Sequence, residues 1–503
     1  YSPEKEALFT ALVADFNRQN LRTPDRQPMR VEAIKLDPEA MIEAALDGKV
    51  QAISPDSSIW LDQLDVAWRD KTQGEAGLVG ETRRYATTPV VLAMWEDVAS
   101  EMGYPQPIGW ADLLARAKSD PNFKWSHPST TTASGLLATL AEFYAGAGLT
   151  RGLTEESAKA QPTLDYVAAI EKTVRFYGEG ELAVIERART EGPGFLDAFV
   201  VSEQLVIDFN RKGGKPKLIA IYPKEGTLWQ DHPLALLEQP GLSNTQRLTF
   251  AAFRDYLLSA ESQKRILDAG YRPADLNIPI DFAGSPISPV YGADPKQPQT
   301  TLQVPGSSIV QVVRDVWYYT KRKTNVVLVV DTSGSMEGQK LANAQEALRV
   351  FLSQIRGDQE RVGLIEFASG IKTDLPLAEI GQGRPQLEST LDQLQAQGDT
   401  ALLDAVSLAY DRLQQLGDRE RINAIVAMTD GRENHSQTTL SRLTQRIRSA
   451  NQTGVPVVIF CIAYGDDADM KTLQTIAEAS GGQVRKGDLE TIQQLYKILS
   501  TYF

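Results

Sequence analysis

From residue 307 onward, short runs of consecutive apolar residues alternate with segments whose apolar positions recur every three or four. The run Asn325-Val326-Val327-Leu328-Val329-Val330 has no polar face, which predicts a strand buried on both sides. Leu341, Ala344, Leu348, Phe351, Leu352 and Ile355 share a helical spacing and predict a helix over 341–355. The same reading predicts strands at 361–367, 422–428 and 455–462. It predicts helices at 401–416, 437–451, 470–480 and 489–502. Strands separated by helices predict a doubly wound, mostly parallel, Rossmann-like α/β sheet over 321–503, whose ligands lie at the carboxyl ends of the strands.

Residues 1–270 also alternate apolar runs with helical patterns. Leu8, Leu12, Val13 and Phe16 lie on one helix face, Met29 to Ile34 reads as a strand, and Ala86 to Met94 reads as a strand that crosses between two lobes. Between these halves, residues 271–306 contain Pro273, Pro279, Pro286, Pro289, Pro295, Pro298 and Pro305. That density blocks helix interiors and central strands, so 271–320 is expected to wrap or link.

The 503 residues leave ample length for more than one core, and a net charge of −13 argues against nucleic acid as a general partner. A single cysteine, Cys461 in the run 455–462, excludes an internal disulfide framework. His127, His232 and His435 stand far apart and form no His-rich motif. No apolar run is long enough to span a membrane. The chain opens at Tyr1 without a methionine, as expected of a mature or trimmed chain whose missing part held an export signal or lipid anchor.

The strand at 325–330 ends in Asp331-Thr332-Ser333-Gly334-Ser335, and that at 422–428 ends in Thr429-Asp430-Gly431. Gly398-Asp399-Thr400 precedes a helix and supplies a third hydroxyl. Asp331, Ser333, Ser335, Thr400 and Asp430 make an all-oxygen set that suits a hard cation, Mg²⁺ first and Mn²⁺ or Ca²⁺ as alternatives. Neutral hydroxyls leave such an ion electron-poor and ready for an incoming carboxylate. The pattern DxSxS, distant Thr, distant Asp resembles the metal-ion-dependent adhesion site of von Willebrand factor A domains. The resemblance implies that these five residues hold the ion directly or through water. Asp399 is expected in the loop rather than on the ion, and Glu433, Asn434 and His435 are expected along the rim.

In the N-terminal part, Thr87-Thr88-Pro89-Val90-Val91-Leu92, Gly109-Trp110-Ala111-Asp112-Leu113-Leu114, the loop His127 to Gly135, and Ile221-Tyr222-Pro223-Lys224-Glu225 followed by Asp231-His232-Pro233 come in an order that is similar to type II periplasmic solute-binding proteins of ABC importers. The resemblance implies a two-lobed module, lobe one about 1–88 and 217–270 and lobe two about 89–216, closing on a solute. Three Ser/Thr-rich loops precede helices and offer Ser2, Ser57, Ser58, Ser129, Thr130, Thr131 and Ser134 to a small anion, with Tyr222 on the return strand. The alternative is that these hydroxyls only cap helices.

No nucleophile elbow, phosphate loop or HExxH is present, and Ser2-x-x-Lys5 lacks the companion motifs of an SxxK enzyme. The expectation is a non-enzymatic, extracytoplasmic binding protein that grips an acidic group of a partner protein through its metal site. Two alternatives stand beside it. One is a solute receptor of a transport or sensing system. The other is an adaptor of an AAA+ metal-chelatase-like machine.

Overall fold

The computed structural model describes residues 1–178, 180–488, 491, 492, 496 and 499. The helix expected at 489–502 falls almost wholly outside them. The chain forms two compact units, Tyr1–Thr173 with Gly178–Trp317, and Val174–Tyr177 with the chain from Tyr318 onward. Among the described residues no helix is long and apolar enough to cross a membrane.

The strands of the first unit are β1 (Ala52–Ile53), β2 (Val79–Arg84), β3 (Ala86–Trp95), β4 (Trp125–Ser126), β5 (Ala198–Ser202), β6 (Leu218–Ile221), β7 (Trp229–Gln230), β8 (Pro233–Leu237) and β9 (Arg272–Pro273). They build one sheet in the order β1-β8-β2 and a second in the order β4-β5-β3-β6. β3 is the long strand expected to cross. Its start pairs with β9 and β7, and Val90 onward pairs with β5 and β6. It can do so because it is apolar and buried almost end to end.

Two expectations shift. β6 lies antiparallel to β3, Leu92 opposite Ile221, so Leu218–Ile221 belongs to the second sheet and the chain returns after Tyr222 rather than at 217. Met29 to Ile34 is extended but joins no sheet. Its backbone is satisfied by other groups: the Asn17 side chain brackets Val31, and the Tyr1 ammonium donates to the Ile34 carbonyl.

The proline-rich segment is packed rather than loose. Ile287 and Ala293 are buried against Ile207 and Leu267, and Ala220 N–H donates to the Gly292 carbonyl at 2.8 Å. Gly292 has φ +78°, and a Cβ there would lie 2.1 Å from the Leu218 carbonyl oxygen, so only glycine fits.

The second unit holds β10 (Thr324–Asp331), β11 (Arg361–Phe367), β12 (Ile371–Glu379), β13 (Ile422–Thr429), β14 (Val457–Tyr464) and β15 (Val484–Gly487), in the order β12-β11-β10-β13-β14-β15. All neighbours are parallel except β12, which returns antiparallel to β11. Val327 and Val329 pack with Ile425, Leu402, Val406 and Ile447 on one face. Val326, Leu328 and Val330, one residue out of phase, are equally buried on the other. Each such side chain contributes about 1.5–3 kcal/mol by leaving water, which is why the central strands carry no polar face. Helices Gln339–Gln354, Leu402–Leu416, Leu440–Thr453 and Met470–Ser480 follow the strands, and the carboxyl ends of β10 and β13 share one edge.

Candidate metal centre and solute site

Asp331 is the last residue of β10, and the chain turns sharply after it. Backbone bonds fix that turn: Thr332 N–H donates to the Phe367 carbonyl and Gly334 N–H to the Gly398 carbonyl. Gly398 has φ +88°, and a Cβ there would approach Ser369 Oγ to 2.7 Å, so the loop that brings Thr400 to the rim depends on it.

Ser333, Ser335, Thr400 and Asp430 lie close together at this edge, with Asp331 beside Ser333. Ser333 Oγ lies 3.1 Å from Ser335 Oγ, and Ser335 Oγ donates to Asp430 Oδ1 at 2.6 Å. A Cβ built on Gly431 would sit 3.1 Å from Thr400 Oγ1 and 3.7 Å from Ser335 Oγ, which puts both hydroxyls beside the residue after Asp430. Asp331 Oδ1 accepts from Ser333 N–H at 2.7 Å, and Thr429 Oγ1 donates to Oδ2. Asp331 and Asp430 are fully buried. Burial, with a smaller push from the nearby Asp430 charge, raises the Asp331 carboxyl above its usual range against the hydrogen bonds from Thr429 and Ser333. Two buried carboxylates with three hydroxyls form an oxygen-only set of the kind a hard divalent ion takes. The donor set therefore fits such an ion.

Sequence reasoning missed Lys340 among the groups that support this rim. Lys340, in the first turn of helix Gln339–Gln354, places Nζ 2.5 Å from Asp430 Oδ2. Asn434 Oδ1 accepts from Thr400 N–H at 2.9 Å, and Glu433 Oε2 accepts from Leu403 N–H at the start of helix Leu402–Leu416. Glu433 and Asn434 thus fix the threonine loop. His435 lies 3.6 Å from Asp399, and both are exposed. Only the adjacency of Glu433 and Asn434 to Asp430 signalled them, and nothing in the spacing signalled Lys340.

In the first unit, two of the groups expected to hold an anion are engaged by acids of the protein. Ser2 Oγ donates to Glu4 Oε1 at 2.6 Å, and Ser58 N–H donates to Asp231 Oδ1 at 2.7 Å. Ser57 Oγ accepts a long bond from Ile59 N–H. Ser129, Thr130 and Ser134 are buried and Thr131 half-buried, and Thr130 Oγ1 has no hydrogen-bond partner among the described residues. Thr132, rather than any of these, caps helix Ala133–Ala147. Tyr222 donates to Glu203 and accepts from Asp294 N–H, so its hydroxyl hydrogen is already used.

The surrounding charge is mostly negative. Glu4 and Glu181 both push the buried Asp56 carboxyl upward beyond the effect of burial itself, with Lys5 pulling against them. Burial, then the Glu4 charge, raises Glu181 to about 7. Lys5 lies 3.3 Å from His232 Nδ1 and is lowered by burial to about 8. Ser202 Oγ and Gln230 Oε1 have no partner among the described residues, although Ser202 N–H and Gln230 Nε2 both donate to Glu181. Unsatisfied acceptor capacity next to carboxylates favours a ligand that donates hydrogen bonds.

Residues 1–272, more than half of the chain, match the family model described as bacterial extracellular solute-binding protein. The chain belongs to that family. Its C-terminal part, residues 325–497, matches the von Willebrand factor type A domain, so this solute-binding protein is a fusion of the two modules. Both module types are generally non-catalytic binding domains. An inter-alpha-trypsin inhibitor heavy chain H4 from Sus scrofa is 28% identical over 167 residues, 32% of this chain and 18% of that one. The uncharacterized protein YfbK of Escherichia coli (strain K12) is 23% identical over 179 residues, 35% of this chain and 30% of its own. The matched stretch is thus less than a third of either relative. Among solved structures, an ABC transporter protein from Clostridium perfringens aligns at TM-score 0.42 with 14% identity, covering 63% of this chain and 95% of that one. A von Willebrand factor type A protein from Catenulispora acidiphila aligns at TM-score 0.31 with 23% identity, covering 36% and 42%.

Proposed function

We propose that the type A domain holds one divalent cation, Mg²⁺ in the first instance, through Asp331, Ser333, Ser335, Thr400 and Asp430, and uses it to grip an acidic side chain of a partner protein outside the cytoplasm. The observation that supports this reading is the run of contacts from Ser333 to Ser335 to Asp430, with Thr400 beside Gly431 and Asp331 at the end of β10. A bound cation would supply an open coordination position for a carboxylate. The chain's own residues orient the donors: Thr429 and Ser333 N–H hold the Asp331 carboxylate, Ser335 holds Asp430, and Asn434 holds the Thr400 backbone. The domain boundaries that go with this reading are 1–270, 271–320 and 321–503.

The test is binding of the full chain to a displayed peptide panel of acidic, neutral and basic composition, in Mg²⁺ and after chelation. Captured sequences should carry Asp or Glu, and capture should vanish with chelator and with Asp331→Ala while the melting profile keeps its shape. Binding that survives either change contradicts the proposal.

A second reading rests on family membership and on the polar groups around Glu181. The N-terminal module binds a small solute, and the excess of acceptors over free donors favours an uncharged or cationic one over the oxyanion expected from the hydroxyl-rich loops. Calorimetry with an oxyanion series against amines and polyols separates the two, and tight oxyanion binding would overturn the preference.

A further inference from the structure

Away from both sites, three side chains meet in the interior of the first unit. His127 follows β4, Glu142 lies in the middle of helix Ala133–Ala147, and Glu171 ends helix Gln161–Glu171. All three side chains are completely buried. His127 Nε2 is 3.3 Å from Glu171 Oε2 and 4.0 Å from Glu142 Oε1, and one ligand atom from each residue lies within 4.8 Å of the other two.

The hydrogen-bond chemistry makes this arrangement informative. His127 Nδ1 is 2.8 Å from the Pro128 carbonyl oxygen. A carbonyl only accepts, so Nδ1 carries the hydrogen and, in the neutral ring, Nε2 turns a lone pair toward two carboxylates. Trp317 Nε1 donates to Glu171 Oε1, which holds that carboxylate by its far oxygen and leaves Oε2 toward the histidine. Neither oxygen of Glu142 has a hydrogen-bond partner among the described residues. Burial and the Glu171 charge push the Glu142 carboxyl well above its usual range. Two carboxylates cannot both stay ionised in such a place without a positive partner.

A proton resolves this only in part. Protonated Glu142 can donate to Glu171 through one oxygen, which leaves its other oxygen without a hydrogen-bond partner among the described residues. A cation uses all of the exposed lone pairs at once. Donors about 2.0–2.2 Å from a tetrahedral zinc ion lie about 3.3–3.6 Å apart; the His127–Glu171 separation of 3.3 Å meets this, and Glu142 at 4.0 Å needs to move in by a few tenths of an ångström. A metal-bound histidine commonly donates its other ring N–H to a backbone carbonyl, as His127 does to Pro128.

We propose that His127 Nε2, Glu171 Oε2 and both oxygens of Glu142 form a structural site for one divalent zinc ion. The two carboxylates balance the charge of the ion. The nitrogen donor and the absence of solvent exposure favour zinc over Mg²⁺, which keeps water and prefers oxygen alone. The site ties β4 and the loop after it to two helices. That loop also packs tightly on the helix start, where a Cβ on Gly135 would come within 2.2 Å of the Ser129 carbonyl oxygen.

The experiment uses the full chain carrying Asp331→Ala, so that the type A domain adds no metal of its own. The protein is produced in zinc-supplemented medium and dialysed against Mg²⁺, and its metal content is measured by plasma mass spectrometry. Close to one zinc per chain is expected. Adding Glu142→Gln, which keeps the shape and removes the charge, should lower zinc affinity about 100-fold. Cobalt-grown protein should show visible ligand-field bands that His127→Gln abolishes. Zinc-free protein whose refolded melting temperature ignores both zinc and chelator would overturn the proposal and leave a proton-sharing carboxyl pair. Zinc retained equally by Glu142→Gln would overturn it as well.

Discussion

Asp430 is where the Lys340 ammonium and the proposed metal ion would compete. Its Oδ2 faces the Lys340 ammonium at 2.5 Å, while its Oδ1 accepts from Ser335. The lysine neutralises a fully buried carboxylate and also occupies part of that carboxylate's field. Lys340→Met is therefore expected to tighten Mg²⁺ binding about tenfold, read by calorimetry, and to destabilise the metal-free chain by about 1–2 kcal/mol, since the lysine is one-third exposed and partly screened. Unchanged affinity would show that the ammonium does not compete. Glu181 makes a different prediction. Its carboxyl rises from 4.5 to about 7 on folding, so the folded chain holds that proton more tightly than the unfolded chain. Stability should fall by about 3 kcal/mol as pH rises across that interval. Denaturant titration should show this slope in the wild type and a flatter one in Glu181→Gln. An identical slope in both would exclude Glu181 as its source.

At the level of elements, the turn after β13 packs closely on the threonine loop of the proposed metal rim. Gly431→Ala would set a methyl group 3.1 Å from Thr400 Oγ1. The expected outcome is about tenfold weaker Mg²⁺ binding by calorimetry with a melting temperature within a few degrees of wild type, because only the threonine loop must give way. The central strands were legible in the sequence because β10, β13 and β14 are buried on both faces and so read as unbroken apolar runs. β12 was not, because it is an antiparallel edge strand whose residues alternate between exposed and half-buried positions, with Lys372, Thr373 and Asp374 among them. The five residues of the proposed donor set could be picked out in the sequence because each lies by a recognisable strand end or helix start. Lys340 was not, since its bond to Asp430 spans 90 residues and depends on how the helix after β10 is laid. The acids beside two of the hydroxyl-rich loops were illegible for a related reason. Ser2 and Ser58 look like free donors in sequence, but Glu4 and Asp231 take them, and the Asp231 contact crosses 173 positions.

For the whole molecule, membership in the extracellular solute-binding family and the type A domain together describe a binding protein with two different recognition chemistries. The N-terminal module surrounds its buried polar groups with acids, and the C-terminal module concentrates oxygen donors on one sheet edge. A net charge of −13 favours cations near both, and under the proposed function an acidic partner group would need a metal bridge. The central claim is that bridge. Its most direct test is titration of Mn²⁺ into the full chain and into Asp331→Ala, followed by electron paramagnetic resonance of the free ion. The account predicts one Mn²⁺ bound per wild-type chain, displaced by excess Mg²⁺ and absent from Asp331→Ala. Equal Mn²⁺ binding by both chains would contradict it.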